Sequence, residues 1–371
     1  MHKSRDLLVR ALEEADIRVN GTRPWDLVVN NEDLFDRVIR DGTLGAGEAY
    51  MEGWWDCEAL DVMFCKAIRA HIERRLSHSL PVLFIALRQH VFNMQSKTRS
   101  VEVARKHYNM DNALFASMLG PTMNYSCGYW KNARTLDEAQ EAKMDLICRK
   151  LHLERGMRVL DIGCGWGGLA RYISSHFEVE VTGISIASEQ IRYAKEKDTQ
   201  GRVRWICDDY RNLTGRFDRI VSVGMFEHVG ARNYATYMQK AHDLLEDTGL
   251  FLLHTIGANH QKAGVDPWFD KYIFPNGMLP SPVSVTRAIE GTFVLEDWEN
   301  FGADYDKTLM AWYERFEKGL AEGSFACEEE VRRMYRYYLL SCAAAFRTRD
   351  IQLWQLVLSP RGVPGGYRSV R

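Results

Sequence analysis

The chain has 371 residues, long enough for one large domain together with a smaller one. Hydrophobic residues make up 46% of the sequence and charged residues 26%, which is ordinary for a globular protein. The net charge of −2 at pH 7 gives no support for a nucleic-acid-binding protein.

The eight cysteines form no CxxC pair and no regular framework. The sequence shows no signal peptide, and no apolar run is long enough to span a bilayer. We therefore expect free thiols, a cytoplasmic location and, at most, peripheral association with the inner face of the membrane.

The N-terminal part predicts a small, mainly helical domain over residues 1–98, followed by a catalytic domain over 99–371. Its predicted elements are helices at 4–16 and 32–40 and a short strand at 27–30. Residues 44–64 are dense in glycine and aromatic side chains, and this composition favours packing of the small domain over a catalytic role.

Positive charge is concentrated between Lys66 and His107, where nine Lys/Arg stand against two Glu. Residues 62–95 look helical and hold a short apolar run beside basic neighbours, as in helices that lie in the interface of an anionic bilayer. A solvated helix packed on the catalytic domain fits the same pattern equally well. If the segment docks on a membrane, replacing Lys97 and Arg99 with Glu should weaken vesicle binding.

The stretch VLDIGCGWGGL, at Val159–Leu169, is the centre of the catalytic domain. A short apolar strand contains Asp161, glycines crowd the following turn, and a helix comes next. This is the opening unit of a doubly wound α/β domain, whose ligand lies across the carboxyl end of the strand. Gly163 and Gly165 are candidate ligand contacts, because glycine allows close backbone approach and positive φ.

The spacing of Gly163, Gly165 and Gly168 also fits a dinucleotide fingerprint, so the glycines alone do not identify the ligand. Asp161 would repel a pyrophosphate seated on the helix N-terminus, whereas it suits the amino group of a methionine moiety. No acidic residue follows about twenty positions on to hold the ribose of NAD. S-adenosylmethionine is therefore favoured over a dinucleotide, and a glycine turn without a ligand is the weaker alternative.

Strands and helices then alternate regularly, which predicts a parallel sheet. Strands are predicted at 157–162, 178–184, 202–207, 217–223 and 249–256, and helices at 136–151, 167–176, 187–197 and 231–246. After an insertion at 265–282, the predicted elements are a strand at 293–298, a loop at 301–306, helices at 307–321 and 328–347, and a strand at 351–358. The last two strands would complete the seven-stranded, Rossmann-like sheet of a class I S-adenosylmethionine-dependent methyltransferase.

Residues just after each strand are candidate ligand contacts, because parallel strands end at one edge of the sheet. Ser185 and Gln190 follow the second strand and offer neutral hydrogen-bonding groups to a ribose. Asp208, Asp209 and Tyr210 follow the third strand, where an acid suits the adenine amino group and an aromatic side chain suits its ring.

An acid and an imidazole follow the next two strands. Glu227 and His228 lie in GMFEHVG after the fourth strand, and His254 and Ile256 lie in LLHTIG at the end of the fifth. A lone histidine is more often structural than catalytic. Here both groups fall where a methyl donor should sit, which favours a catalytic role.

Seven segments resemble the bacterial cyclopropane-fatty-acyl-phospholipid synthases and, more distantly, the mycolic acid cyclopropane synthases. They are VLDIGCGWGGLA, YSCGYW, GMFEHVG, LLHTIG, WFDKYIFPNG, FGADYDKTLMAWYERF and RDIQLWQ, and the similarity runs from about Asn20 to Leu358. The resemblance implies transfer of the methyl group of S-adenosylmethionine to the cis double bond of an unsaturated acyl chain on a membrane phospholipid. It also implies a homodimer.

The chemistry implied by the resemblance is demanding. An alkene is a poor nucleophile and needs a closely oriented donor, and the resulting carbocation needs a nearby negative charge and a dry site. The resemblance implies that bound bicarbonate then removes a proton from the added methyl group. Its ligands would be the backbone at Cys127, the side chains of Glu227, His254 and Tyr305, and a backbone group at Ile256.

The resemblance also implies which residues bind the donor, and it implies no metal ligand. The donor-binding residues are Tyr125, Ser126, Asp161, Gly163, Gly165, Ser185, Gln190, Asp209 and Tyr210. Cys342 matches a family cysteine considered as a nucleophile, but a thiol among small apolar residues is expected to be an unactivated core group.

An apolar tunnel for the acyl chain is expected near Cys127, Tyr305 and the insertion. Its candidate lining residues, each of which fits ordinary core packing as well, are Phe274, Trp268, Met278 and Leu279. Two other functions stay open: a methyltransferase acting on another lipid or small-molecule nucleophile, which would not need an anion site, and a non-catalytic lipid-binding protein. Nucleic acid is a poor substrate candidate, because the basic stretch lies outside the core.

Overall fold

The computed structural model describes residues 2–72, 112–261 and 264–371. A seven-stranded sheet forms its centre. The strands are β3 (Arg158–Ile162), β4 (Glu180–Ser185), β5 (Val203–Cys207), β6 (Phe217–Val223), β7 (Leu245–Ala258), β8 (Val294–Asn300) and β9 (Ile351–Ser359). They are ordered β5-β4-β3-β6-β7-β9-β8, which confirms the predicted doubly wound, Rossmann-like class I fold.

Strand order reverses at β3, which pairs in parallel with β4 on one side and β6 on the other. Ligands of open α/β sheets bind in the crevice that this reversal leaves at the carboxyl ends of the strands. β9 runs opposite to the other strands, since it pairs antiparallel with both of its neighbours, β7 and β8. Its register sets Gln355 opposite both His254 and Glu299.

Helices cover both faces of the sheet because successive strand residues point to opposite sides. On one face, Val159 and Val221 pack against α5 (Leu136–Lys150) and α6 (Gly168–His176). On the other, Leu160 and Ile220 pack against α8 (Tyr234–Leu244) and α10 (Pro282–Ile289). α7 (Ser188–Lys197) also lies beside the strands and contacts β4 and β5.

The N-terminal segment is built from short elements that pack on two long C-terminal helices. Its elements are α1 (His2–Glu14), β1 (Val28–Val29), α2 (Leu34–Met51), β2 (Trp55–Asp56) and α3 (Leu60–Arg69), and the long helices are α11 (Ala303–Ala321) and α12 (Glu329–Arg347). One continuous apolar cluster contains residues of α2, α3, α11 and α12 and also of α4 (Asn112–Leu119). The predicted boundary at residues 98 and 99 lies outside the described residues.

Ion pairs reinforce this packing. Arg347 of α12 contacts Asp61 of α3 at 2.6 Å and Asp306 of α11 at 2.9 Å. Arg333 of α12 donates to the backbone oxygen of Trp55 at 2.8 Å and contacts Asp56 at 2.7 Å.

In the three described ranges, we find no helix that is both long enough and apolar enough to cross a bilayer.

One predicted loop is wrong. The sequence predicts a loop over residues 301–306, but α11 begins at Ala303, so Tyr305 lies in the first helical turn. Glycine and acidic residues are common in loops, and they also begin helices. The insertion at 265–282, for which no element is predicted, holds a short helix, α9 (Pro267–Tyr272), whose first turn is capped by Asp266 through the backbone N–H of Trp268.

Candidate active site

A cavity of about 210 Å³ lies at the carboxyl ends of β3, β4, β5 and β6, where the strand order predicts a ligand. Its wall contains all nine of the predicted donor-binding residues, so the structure brings this set together in one place. These residues are Tyr125, Ser126, Asp161, Gly163, Gly165, Ser185, Gln190, Asp209 and Tyr210. Pro275 and Asn276 of the insertion close one side of the cavity.

The glycine turn has the backbone shape that the sequence indicated. Gly165 has a φ of 54°, with open space where a side chain would be, so its conformation explains the glycine. Gly168 begins α6, and a Cβ atom there would lie 2.1 Å from the backbone oxygen of Thr122. The turn therefore packs closely against the segment before α5 while its backbone lines the cavity.

Two buried groups of opposite charge border the cavity. Asp161 is 2% exposed, and its Oδ2 atom has no hydrogen-bond partner among the described residues. Lys143 is 1% exposed, and its Nζ donates to Oγ of Ser126 at 2.8 Å. Burial raises the pKa of Asp161 to about 7 and lowers the pKa of Lys143 to about 7. A ligand that brings an ammonium and a carboxylate would restore the charge balance of both groups.

Polar groups further along the cavity are preorganised by one another. Ser185 donates to Oε1 of Gln190 at 3.4 Å and accepts the backbone N–H of Ala187. Asp209 binds the guanidinium of Arg211, whose Nε lies 2.8 Å from Oδ1, so this carboxylate already has a cationic partner. An adenine amino group at Asp209 would have to share the carboxylate with Arg211.

Glu227 lies in a short turn after β6, between cavity-lining residues. The backbone N–H of Ile256 donates to its Oε1 at 2.6 Å, while Oε2 is buried without a partner in the described part of the chain. Burial raises the pKa of the Glu227 carboxyl to about 7. Because the Ile256 N–H is engaged, direct contact between this backbone and an anion stays a prediction.

His254 lies near the end of β7, opposite Val223 in the register with β6. It is 1% exposed, and Nδ1 lies 3.1 Å from the amide nitrogen of Gln355. Nε2 has no hydrogen-bond partner among the residues described. Burial, together with the charges of Lys143 and Lys150, holds the pKa of His254 well below its usual range, so the ring is neutral.

Tyr305 and Cys127 are buried, and Tyr305 lies within electrostatic range of both Cys127 and Glu227. Burial raises the pKa of Tyr305 well above its usual range, with smaller contributions from Cys127 and Glu227. The hydroxyl is therefore protonated and able to donate. The Cys127 thiol contacts Thr308, and burial raises its pKa as well, so it is not a nucleophile.

None of the six predicted catalytic residues lines the cavity; they are Cys127, Glu227, His254, Ile256, Tyr305 and Cys342. Cys127, Glu227 and His254 each adjoin a lining residue along the chain or across the sheet. Cys342 is half-buried, and desolvation raises the pKa of its thiol, which agrees with the expectation of an unactivated group.

The residues proposed for an acyl tunnel occupy different environments. Trp268 has no exposed surface and packs on Tyr337 with ring centroids 4.5 Å apart, so it belongs to the apolar core. The backbone N–H of Met278 donates to the backbone carbonyl oxygen of Glu227 at 2.8 Å, which ties the insertion to the candidate site. Tunnel-lining roles for Phe274, Met278 and Leu279 stay predictions.

Sequence reasoning missed Lys143, Lys150 and Gln355. Both lysines lie on the buried face of α5 and are spaced seven residues apart, at positions where the helix otherwise presents apolar side chains. A charged residue on a buried helical stripe was the available signal. Gln355 had none, because its hydrogen-bond partners, Lys150 and His254, come from two other elements.

Comparisons with known proteins agree with this geometry. A family model described as mycolic acid cyclopropane synthetase matches residues 95–356. A cyclopropane-fatty-acyl-phospholipid synthase of Escherichia coli K12 is 52% identical over 360 residues, covering 97% of this chain and 94% of that protein. The solved structure of the cyclopropane synthase MmaA2 from Mycobacterium tuberculosis has a TM-score of 0.64 at 32% identity and covers 70% of this chain and 97% of that chain.

A more distant structure shares the fold alone. Coclaurine N-methyltransferase, bound to N-methylheliamine and S-adenosylhomocysteine, is 21% identical with a TM-score of 0.68. It covers 84% of this chain and 98% of its own.

Proposed function

Because the chain belongs to the mycolic acid cyclopropane synthetase family, we propose that it transfers the methyl carbon of S-adenosylmethionine to the cis double bond of unsaturated phospholipid acyl chains, forming a cyclopropane ring. The observation that carries the proposal is a pair of buried polar atoms, Oε2 of Glu227 and Nε2 of His254, that lack partners among the described residues next to the donor cavity.

The cavity fits S-adenosylmethionine through groups already in place. The donor's ammonium would pair with Asp161, whose Oδ2 is free of protein partners within the described ranges. Its carboxylate would meet Lys143. Ser185 and Gln190 would hold the ribose, and Tyr210 would pack on the adenine.

The buried polar groups behind the cavity fit a small anion such as bicarbonate. A buried anion needs donors, and His254 and Tyr305 are both buried side chains that carry a proton to donate. Glu227 would accept a hydrogen bond from the hydroxyl group of bicarbonate, which offsets the repulsion between two anions. When bound, bicarbonate supplies the base that the last step of ring closure requires.

The protein's own residues contribute orientation and exclusion of water. The carboxylate of Glu227 is anchored by the Ile256 N–H at 2.6 Å and adds negative charge near the reacting carbon. The aromatic packing of Tyr305 on Phe346, with stacked rings 4.4 Å apart, keeps water from the site where a carbocation must survive.

The direct test is incubation with vesicles of an unsaturated phospholipid and S-adenosylmethionine, followed by mass spectrometry of the acyl chains. We expect each modified chain to gain one CH₂ and lose its alkene. Vesicles of a saturated phospholipid serve as the control. Methylation of an oxygen or nitrogen, with the alkene retained, would instead identify a methyltransferase acting on another nucleophile.

We further propose that the protein acts as a homodimer at the cytoplasmic membrane surface, with residues 1–98 and the basic stretch as the docking part. The excess of positive charge between Lys66 and His107 supports attraction to anionic lipid. Most of this stretch lies outside the described residues.

Reversing two of these charges tests the docking role. The Lys97→Glu/Arg99→Glu variant is expected to bind anionic vesicles at least about tenfold more weakly at low salt, because each basic side chain near a charged surface adds about 1 kcal/mol. Co-sedimentation with vesicles measures this. Unchanged binding would place the docking surface elsewhere, and neutral vesicles provide the control.

A further inference from the structure

A buried row of polar side chains leads from the edge of the sheet to His254. Glu299, Gln355 and His254 lie side by side on β8, β9 and β7, as the strand register requires. Lys150, the last residue of α5, contacts Oε2 of Glu299 at 2.5 Å and Oε1 of Gln355 at 2.8 Å. The Gln355 amide nitrogen lies 3.1 Å from Nδ1 of His254. Lys150 and Gln355 have no exposed surface.

The row has only one consistent direction of donors. An ammonium can only donate, so the side-chain oxygen of Gln355 must face Lys150, and the amide nitrogen must then face His254. Burial lowers the pKa of Lys150, and the hydrogen bond and negative charge of Glu299 oppose that shift and favour the ammonium. An amide nitrogen can only donate, so Nδ1 of His254 is the acceptor in this contact. A neutral imidazole carries a single proton, which must therefore reside on Nε2.

We propose that Gln355, oriented by Lys150, is a positioning residue that holds His254 in its Nε2–H tautomer and so makes this ring a donor to an anion instead of a base. The inference deepens the proposed function and rests on it for the identity of the anion. The tautomer itself follows from the hydrogen-bond row and does not depend on the reaction.

The Nε2–H tautomer determines what His254 can do chemically. With a proton on Nε2, the ring has no lone pair facing the site and cannot remove a proton from the added methyl group. Nε2–H is buried and has no partner in the described part of the chain. An acceptor that enters the site therefore satisfies a donor that is otherwise left unpaired.

Nitrogen NMR of the full-length protein labelled with ¹⁵N-histidine tests the tautomer directly. The protein has eleven histidines, and the His254→Gln variant identifies the resonances of His254. We expect a protonated Nε2 and an unprotonated Nδ1 in the unmodified protein. An Nδ1–H tautomer or a doubly protonated ring would overturn the proposal.

Gln355→Met removes the amide while keeping the length of the side chain. We expect the ring to populate both tautomers. The bicarbonate concentration that gives half-maximal activity should rise at least about tenfold, as for loss of one hydrogen bond to an ion. The affinity for S-adenosylhomocysteine should stay within about twofold, because Gln355 does not line the donor cavity.

Gln352→Met is the matched control. Gln352 is a buried glutamine on the same strand, but its amide donates to the Arg349 oxygen and accepts from Asn300 instead of contacting His254. It should leave the His254 resonances unchanged.

Separate results test the role of Gln355, the role of His254 as a donor to the anion, and the identity of that anion. A Gln355→Met spectrum identical to that of the unmodified protein overturns the role of Gln355. A changed tautomer with an unchanged response to bicarbonate overturns the role as anion donor. If the unmodified enzyme itself shows no response to bicarbonate, the anion identity in the proposed function fails while the tautomer assignment stands.

Discussion

At the scale of single residues, the donor cavity is defined by charges that burial makes unfavourable. Asp161 and Lys143 border the same cavity, and burial moves the pKa of each to about 7 from opposite directions. Within the described ranges, Oδ2 of Asp161 is without a partner, and Lys143 has only the neutral hydroxyl of Ser126 as its hydrogen-bond acceptor. A zwitterionic amino-acid group is the complementary ligand.

This arrangement predicts a maximum in donor affinity near pH 7. Asp161 must be ionised to bind an ammonium, so affinity should rise as pH increases toward 7; Lys143 must be protonated to bind a carboxylate, so affinity should fall above 7. Calorimetric titration with S-adenosylhomocysteine across this range measures both limbs.

Two variants separate the limbs of that profile. Asp161→Asn should remove the acid limb and Lys143→Met the alkaline limb, each with roughly tenfold weaker binding at pH 7, as expected for a lost charged hydrogen bond. A profile that keeps both limbs in both variants would show that other groups titrate.

The acid and imidazole behind the cavity should affect turnover and not donor binding. Glu227→Ala and His254→Ala are expected to keep S-adenosylhomocysteine affinity within about threefold while turnover falls by about a hundredfold or more, the usual effect of removing a group that stabilises transition-state charge. Asp243→Ala, an exposed carboxylate on α8, is the control. Near-normal rates in both alanine variants would contradict the assignment of this site.

At the scale of elements, close approach between α2 and α9 holds the insertion in place. A Cβ atom at Gly47 would lie 2.3 Å from Cδ1 of Trp268, a ring without exposed surface. The insertion that begins with α9 continues to Pro275 and Asn276 in the cavity wall. The packing of the N-terminal segment is thus connected to the shape of the donor site.

Gly47→Ala should therefore destabilise the protein, because overpacking a buried contact lowers the free energy of unfolding by about 1–3 kcal/mol. Urea unfolding followed by circular dichroism measures this loss. Thr43→Ala, one turn earlier on α2 and partly exposed, should lower the stability by less than about 0.5 kcal/mol. Equal effects of the two variants would argue against the contact.

At the scale of the whole molecule, the N-terminal segment shares its core with the catalytic part. The largest apolar cluster contains Tyr50 and Leu60 together with Trp312 and Leu339. Arg347 bridges α3 and α11 from α12. Because the described part of this segment shares one continuous cluster with the C-terminal helices, its stability is coupled to theirs.

We therefore predict one cooperative unfolding transition. Calorimetry and tryptophan fluorescence should give coincident midpoints, and Arg347→Met should lower both midpoints together, because its two ion pairs join elements from both parts. Two separate transitions, with only the first shifted by Arg347→Met, would show that the two parts unfold independently.

Most of the fold was predictable from sequence because local patterns carry it. The apolar strand before Gly163 and the regular alternation of strands and helices predict the parallel sheet and its ligand-binding edge. The predicted strand at 217–223 has the bounds that the structure gives β6. Helix starts such as Ala303 were less predictable, since polar residues and glycines begin helices and fill loops alike.

The sequence by itself determined the sheet, the donor-binding edge and the identity of the residues that follow each strand. The reason is that the carboxyl ends of parallel strands all lie at one edge of the sheet, so local strand patterns are enough to place these residues there. Only the tertiary structure decided that Lys143 faces Asp161's cavity, that the Ile256 N–H anchors Glu227, and that Lys150 and Gln355 set the protonation of His254. The physical reason is that hydrogen-bond direction and desolvation depend on neighbours that are distant in the chain.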